Sequence, residues 1–460
     1  MPRLRTAREA TRPLPAVVAL VVLLSLSAVA ASTAMAEPVT DWNAFVDTLP
    51  PQHPAIRARI EAMMQVAVHD ALNSIEPRYE SYSDLPRARR HASPATAIAA
   101  AARTVLVAAM PTQSVAVTNY YNAAIVGCSS QACLDGITAG EAAANAILLA
   151  RVGDGSATPH LPYNEPVAPG VYQPTPPTPP AAAANPPVQF NGWALVQPFV
   201  MRSPSQFRAE PSKIFDLTSR AFARDYNEVK SVGALNSTVR TADQSEIARF
   251  WPGGGANINA VVRVIVANRG LDSWQLARLF ALINVALHDA AVSVFDTKYT
   301  YHFWRPVTAI RAGDTDHNPA TEADPNWISY QNTPPYPDYT CGLTTQTGAG
   351  LEVVRRYFHT DEIPYTLTAV GATRSFATLS QAEAEAVNAR VFGGMHFRTG
   401  CVRGVIQGNQ VGRFAIRHSL RPLPRGKDHD DDHHDHDGYG HGDRDFDRDD
   451  DGHDDGDRDD

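Results

Sequence analysis

Cysteine is scarce in this chain of 460 residues: Cys128, Cys133, Cys341 and Cys401 are the full set. Two disulfides are therefore the ceiling. Cys128 and Cys133 bracket CSSQAC, close enough for a local bridge, which leaves Cys341 with Cys401. Alternation of apolar and polar residues is also rare, and that argues against a sheet protein. Long apolar runs are few. PAVVALVVLLSLSAVA near the N-terminus is short for a span of about 20 residues, and no other stretch reads as apolar enough to cross a bilayer. Arg3, Arg5, Arg8 and Arg12 surround the start of that run and Ala34-Met35-Ala36 follows it. This is the order of a signal peptide over residues 1–36. The expectation is an exported protein, periplasmic or secreted, whose mature chain starts near Glu37 and has no membrane span.

The formal charge of −9 is a property of one end. Residues 427–460 hold 17 Asp, 6 His and 4 Lys/Arg, a net of −13, so residues 1–426 sum to +4. That tail (residues 426–460 as a segment) has almost no apolar side chains and is expected to be disordered. Its Asp/His mixture suits weak binding of divalent cations, or solubilisation alone. No nucleic acid partner is expected, and a homodimer is left open.

What the body does have is helix. SPATAIAAAARTVLVAAM opens on Ser-Pro, a good helix start. TAGEAAANAILLARVGDG has helical composition and stops at glycine. SWQLARLFALINVALHDAAVSVF suits a buried helix with Ser273 as its N-cap. TADQSEIARFW and SQAEAEAVNARVF also read as helices, so the fold class is all-α. Residues 161–193 are too proline-rich for helix or sheet and are expected to form an extended connector across the surface. It separates a first helical bundle region, 37–160, from a second helical region, 194–425. The two regions echo one another. MMQVAVHDALNSIEPRY (63–79) resembles LINVALHDAAVSVFDTKY (282–299), with His69-Asp70 matching His288-Asp289 and Ser74 matching Ser293. This suggests two related bundles. The His-Asp pairs read first as hydrogen-bonded packing residues.

Three segments carry the chemical signal. In KYTYHFWRPVTAIR, Lys298 and Arg305 have six residues between them, and Pro306 is placed for the first turn of a helix. In DYTCGLTTQTG, a loop breaks at Cys341-Gly342 and feeds a helix start. In NARVFGGMHFRTGC, Arg390 and His396 have five residues between them. Each is weak alone. Together they propose three cations and the backbone N–H groups near Gly342, with a helix N-terminus behind them. Such a cradle suits a tetrahedral oxyanion such as phosphate or vanadate. His396 is then the nucleophile or metal ligand, since neutral imidazole serves both roles.

These segments resemble the vanadium-dependent haloperoxidases, in the superfamily that includes type 2 phosphatidic-acid phosphatases. The family pattern is K-x6-R-P, then P-S-G-H, then S-R-x5-H. Here the counterparts are Lys298 to Arg305-Pro306, then Thr340-Cys341-Gly342-Leu343, then Ala389-Arg390 to His396. AVHDALNSI, GALNSTVRTADQSEIARFW and QGNQVGRF fit the bacterial branch, and the likeness spans most of residues 40–418. It implies two four-helix bundles. It implies vanadate held by Lys298, Arg305, Gly342 and Arg390 and bonded to His396, or a phosphohistidine at His396 in a phosphatase. The departures fall in the middle motif. Cys341 replaces the serine that donates to the oxyanion. Leu343 replaces the acid–base histidine, and leucine can neither donate nor accept a proton. The family arrangement brings the middle and third motifs together, so a Cys341–Cys401 disulfide is expected. His302 and His359 are remote candidates for the lost acid. The resemblance implies peroxide-dependent oxidation of halide, with reduced activity. The alternatives are phosphate-ester hydrolysis and non-catalytic binding of phosphate or vanadate on a retained scaffold.

Overall fold

The computed structural model describes residues 37–176 and 185–424. The expected signal peptide, residues 177–184 of the connector and the Asp/His-rich tail lie outside the described residues. Within them are thirteen α-helices and one two-stranded hairpin, an all-α architecture. Before the connector come α1 (Pro38–Val46), α2 (Pro54–Ile75), α3 (Pro94–Ala109), α4 (Ser114–Ala124) and α5 (Gln131–Ala150). After it come α6 (Arg220–Val232), α7 (Ala242–Phe250), α8 (Ile258–Val266), α9 (Ser273–Tyr301), α10 (Pro306–Arg311), α11 (Gly342–Phe358), α12 (Leu379–Phe392) and α13 (Arg398–His418).

Local chemistry sets many of these boundaries. α1, α2 and α3 each start with proline, which loses nothing at a position without an intrahelical donor. Glu37, His53 and Ser93 cap them. α9 differs from expectation at its start. Asp272, not Ser273, is its N-cap, in a reciprocal pair with Gln275. The carboxylate suits the positive end of the helix dipole better than a hydroxyl. The hairpin β1 (Tyr365–Ala369) and β2 (Ala372–Phe376) pairs Tyr365 with Phe376. Its turn is Val370-Gly371, both at positive φ, the geometry of a two-residue hairpin loop.

The long helices α2 and α9 lie against each other at the centre, and one apolar cluster runs from Val39 to Leu420. α3 and α5 complete the packing around α2, while α11 and α13 pack on each other and on α9. Two helices, α5 and α9, are long and apolar enough to cross a bilayer by length and composition, contrary to the sequence reading. In α9, 94% of the apolar window is buried inside the fold, which accounts for its apolar character; in α5 the share is 39%.

The His-Asp echo is structural at both copies. Asp70 accepts the backbone N–H groups of Tyr82 and Ser83, at 2.8 and 2.7 Å. Asp289 accepts those of Phe199, Val200 and Met201, at 2.6, 2.9 and 2.9 Å. Each buried carboxylate thus satisfies a loop crossing its helix. The connector is not merely laid on the surface. Tyr172, Thr175, Phe190 and Trp193 are buried, and Tyr172 N–H donates to His302 O at 2.7 Å. Phe190 and Trp193 bury aromatic area against α9, which outweighs the polar bias of the surrounding prolines.

A glycine stripe on α13 sets the position of α11. A Cβ on Gly404 would meet Thr344 Oγ1 at 2.4 Å, and one on Gly408 would meet Thr345 O at 2.0 Å. One on Gly412 would meet Ala349 O at 2.3 Å. Only glycine permits the two backbones to approach this closely.

Candidate oxyanion site

Lys298 lies in the last turn of α9 and is wholly buried. Its Nζ donates to the main-chain oxygens of Pro337 and Asp338, at 2.7 and 2.9 Å. Burial, and then the nearby Arg305 charge, push its ammonium well below the ordinary lysine range, against the pull of Asp338 and Cys341. Arg305 immediately precedes α10, where Pro306 takes the first helical position. Its Nε donates to Tyr336 O at 2.7 Å and its Nη1 to Met395 O at 2.8 Å. Its Nη2 is buried with no hydrogen-bond partner among the described residues. Arg390 stands in the last turn of α12, and its buried Nε is likewise unpartnered.

His396 follows Gly394, whose φ of +76° turns the chain between α12 and α13. Arg305 Nη1 donates to its Nε2 at 2.9 Å. Its Nδ1 lies 2.8 Å from Asp338 Oδ1. Asp338 is fully buried, 3.7 Å from Arg305 Nη1, and neither of its oxygens has an aligned hydrogen-bond donor among the described residues. The contact with His396 is thus one of charge and proximity. α11 begins at Gly342 with no side-chain cap. Open space surrounds Gly342, where an added Cβ would touch nothing within 4 Å. Buried Gln407 fixes the loop before it, accepting from Thr340 Oγ1 at 2.6 Å and donating to Thr297 Oγ1 at 2.8 Å.

A cavity of about 550 Å³ ends on these residues. Lys298, Gly342, Leu343 and Arg390 reach it; Arg305, Cys341 and His396 stand behind them and do not line it. The structure therefore brings Lys298, Arg305, Arg390, Cys341, Gly342 and His396 to one place and sets Leu343 on the cavity wall. His302 and His359 are elsewhere. His302 faces Glu165 at 3.6 Å, His359 ends α11, and neither lines the cavity.

The expected Cys341–Cys401 disulfide is not formed, whereas Cys128–Cys133 is bridged. Both thiols are free and buried. Together with His396 they place their sulfur and ring nitrogen atoms within 4.8 Å of one another. Burial raises the Cys341 thiol, but the hydrogen bond with Cys401 and the neighbouring His396 and Arg390 outweigh it and hold it well below the usual range. Cys401 is pushed up, by burial and by Cys341. The pair is satisfied as thiol and acceptor, which is why no bridge is needed to bury it.

Sequence reasoning missed Asp338. Its only signal is that it is the single acid in PPYPDYTCGL, next to the altered motif. It also missed the far wall, built from the first half by His53, Arg57 and Glu61 with Trp251 and Asn259. Burial, then the charge of His160, lowers His53 to about 4. Burial raises Glu61 despite Arg57.

The fold is helical, and Lys298 and Arg390 stand at one end of its cavity. Residues 278–424 match the VCPO second helical-bundle domain, in line with the motifs that resemble the vanadium haloperoxidases. It is 34% identical to the vanadium chloroperoxidase of Curvularia inaequalis over 154 residues, 27% of this chain. The chain spans about a quarter (24%) of that relative's length. The fold is similar to the first bacterial vanadium-dependent iodoperoxidase structure, with a TM-score of 0.71 and 23% identity, covering 85% of this chain and 96% of that one. It is also similar to a holo-type bacterial vanadium-dependent chloroperoxidase, with a TM-score of 0.65 and 20% identity over 83% and 92%.

Proposed function

We propose that this protein binds vanadate in the Lys298–Arg305–Arg390 cradle and catalyses peroxide-dependent oxidation of halide, slowly, for want of a proton-transfer group at position 343. The observation that carries the reading is the pair of unpartnered buried donors, Arg305 Nη2 and Arg390 Nε. Buried donors without acceptors are costly, about 1–3 kcal/mol each, and an oxyanion is the ligand that satisfies them.

When bound, vanadate supplies a Lewis-acidic centre that activates peroxide toward halide. Lys298, Arg305 and Arg390 would hold its oxygens, with the N–H groups at the start of α11. His396 would offer Nε2 as ligand, in exchange for its contact with Arg305. Asp338 is the positioning residue, since a carboxylate beside Nδ1 selects the tautomer that leaves Nε2 free of hydrogen. Leu343 contributes an apolar wall and nothing to proton movement.

Two observations favour a second reading, of oxyanion binding without turnover. His396 Nε2 already accepts from Arg305, and Leu343 lines the cavity. The same cradle suits phosphate, and phosphate-ester hydrolysis at His396 would suffer from the same missing acid.

The test is a calorimetric titration of orthovanadate and of phosphate into the purified protein, with Arg390→Ala and His396→Ala alongside, followed by bromide oxidation with hydrogen peroxide. Saturable binding that weakens in both variants, with turnover that requires vanadate, is the expected outcome. Binding without turnover selects the second reading. No heat with either anion refutes both.

A further inference from the structure

The two free thiols beneath the cradle are the one nucleophilic cluster in the site that the oxyanion reading does not use. Cys341 and Cys401 come from different elements and are locked together by the backbone. Cys341 N–H donates to Gly400 O at 3.0 Å, and Thr344 Oγ1 donates to both Cys341 O, at 3.1 Å, and Cys401 O, at 2.9 Å. The close approach at Gly404 fixes that threonine. The two sulfurs lie within 4.8 Å of each other. The thiols differ in surroundings. Cys341 is followed by Gly342 and Leu343, which line the cavity, whereas no residue within two of Cys401 does. Val387 and the half-buried Val405 pack around the pair in the interior. The thiol next to the cavity-lining residues is the one a small oxidant meets first, and the other is its resolving partner.

We infer that Cys341 and Cys401 form a dithiol centre oxidised by small hydroperoxides, separate from oxyanion chemistry. In the first step the Cys341 sulfur attacks one peroxide oxygen. The S–O bond forms as the O–O bond breaks, and the departing hydroxide takes the thiol proton, leaving Cys341 as sulfenic acid plus water. In the second step the Cys401 sulfur attacks the Cys341 sulfur. The S–S bond forms, the S–O bond breaks and a second water leaves. Two thiols and one hydrogen peroxide thus give one disulfide and two waters, and an external thiol reductant returns the pair to the starting state. The inference does not rest on vanadate binding, because no step involves an oxyanion.

The experiment uses the full protein, purified under reductant, freed of it and treated with one equivalent of hydrogen peroxide without vanadate. After denaturation and alkylation, intact mass counts the free thiols. The expected result, read by peptide mapping, is Cys341 and Cys401 both alkylatable before peroxide, neither after, and a linked peptide joining the two. In Cys401→Ser, a sulfenic-acid trap should label Cys341; in Cys341→Ser, Cys401 should stay reduced. Circular dichroism of each variant checks the fold. Two alkylatable thiols surviving excess peroxide in the folded wild type would overturn the inference. So would oxidation of Cys401 in Cys341→Ser at the wild-type rate. Should either variant not fold, the linked peptide and thiol count in the wild type decide.

Discussion

Leu343→His restores a proton-transfer group where the cavity meets the first turn of α11, and its consequences follow from the geometry. The side chain is half-buried on the cavity wall, beside Lys298, Gly342 and Arg390. Positioned acid–base help is worth about 10²–10⁴ in rate, or roughly 3–5.5 kcal/mol of barrier. Losing the leucine contacts costs stability of about 1 kcal/mol, because only part of that side chain leaves an apolar surrounding. The new imidazole would sit at a helix N-terminus among cations, and both disfavour its protonation. Its apparent pKa should therefore fall below the usual histidine value of about 6.5. The variant would act mainly as a base, with the gain appearing as pH rises through that lowered value. The assay is halogenation of an acceptor dye with bromide and peroxide, across pH, in vanadate-loaded wild type and variant. Orthovanadate affinity is measured in parallel. If the variant binds vanadate like the wild type and gains less than about tenfold at every pH, below what acid–base help supplies, the reasoning fails. The limit would then lie with His396, held between Arg305 and Asp338.

Four further outcomes follow from other contacts. Lys298→Met removes a buried cation from the cradle and should weaken orthovanadate or phosphate binding roughly ten- to a hundredfold, the value of a charged hydrogen bond, measured by calorimetry. Asp289→Ala strands three backbone donors and Asp70→Ala strands two. Both should unfold earlier, Asp289→Ala by more, at about 1–3 kcal/mol for each buried donor left unpaired, as chemical denaturation will tell. Gly408→Ala would drive a methyl group to 2.0 Å from Thr345 O. It should cost about 1–3 kcal/mol or more and, by parting α11 from α13, weaken anion binding as well. His288 is held neutral down to about 3, first by burial and then by the charge of Arg151. The unfolded chain takes up that proton near pH 6.5 while the folded one does not, so stability falls as pH drops from about 6.5 toward 3. His288→Gln should flatten this limb of the pH–stability curve by a few kcal/mol, on the order of 1.4 per pH unit.

How much of this was legible beforehand depended on whether a signal was local. Helical composition and helix-start signals are local, and they put α3, α7, α9 and α12 close to their observed places. The spacings Lys298 to Arg305 and Arg390 to His396 are local too, and the fold brings all four residues together. The role of Asp338 is not local, because a lone acid in a proline-rich loop gains meaning only when α9, α10 and the α12–α13 loop close around it. The state of Cys341 and Cys401 was misread for a related reason. Proximity of two cysteines does not distinguish a bridge from a pair of hydrogen-bonded thiols. The glycine stripe of α13 stood in plain view at Gly404, Gly408 and Gly412, yet small residues at helical spacing say nothing about which helix they admit. The burial of Tyr172 and Trp193 shows the same limit, since proline content predicts an irregular path but not the depth at which it runs.

The cavity is shared unequally between the two halves of the chain. Its floor, with Lys298 and Arg390, comes from the second half, while His53, Arg57 and Glu61 on the opposite wall belong to α2 and the loop before it. The division separates inheritance from tuning. Changes on α2 can reshape what enters, admitting a larger acceptor or a different ion, without moving a single anion-holding group. Changes on the floor alter chemistry for whatever is already admitted. A pocket with Leu343 on its floor and a separate antechamber is therefore a natural starting point for selection, because a single floor substitution can be screened against a library of walls.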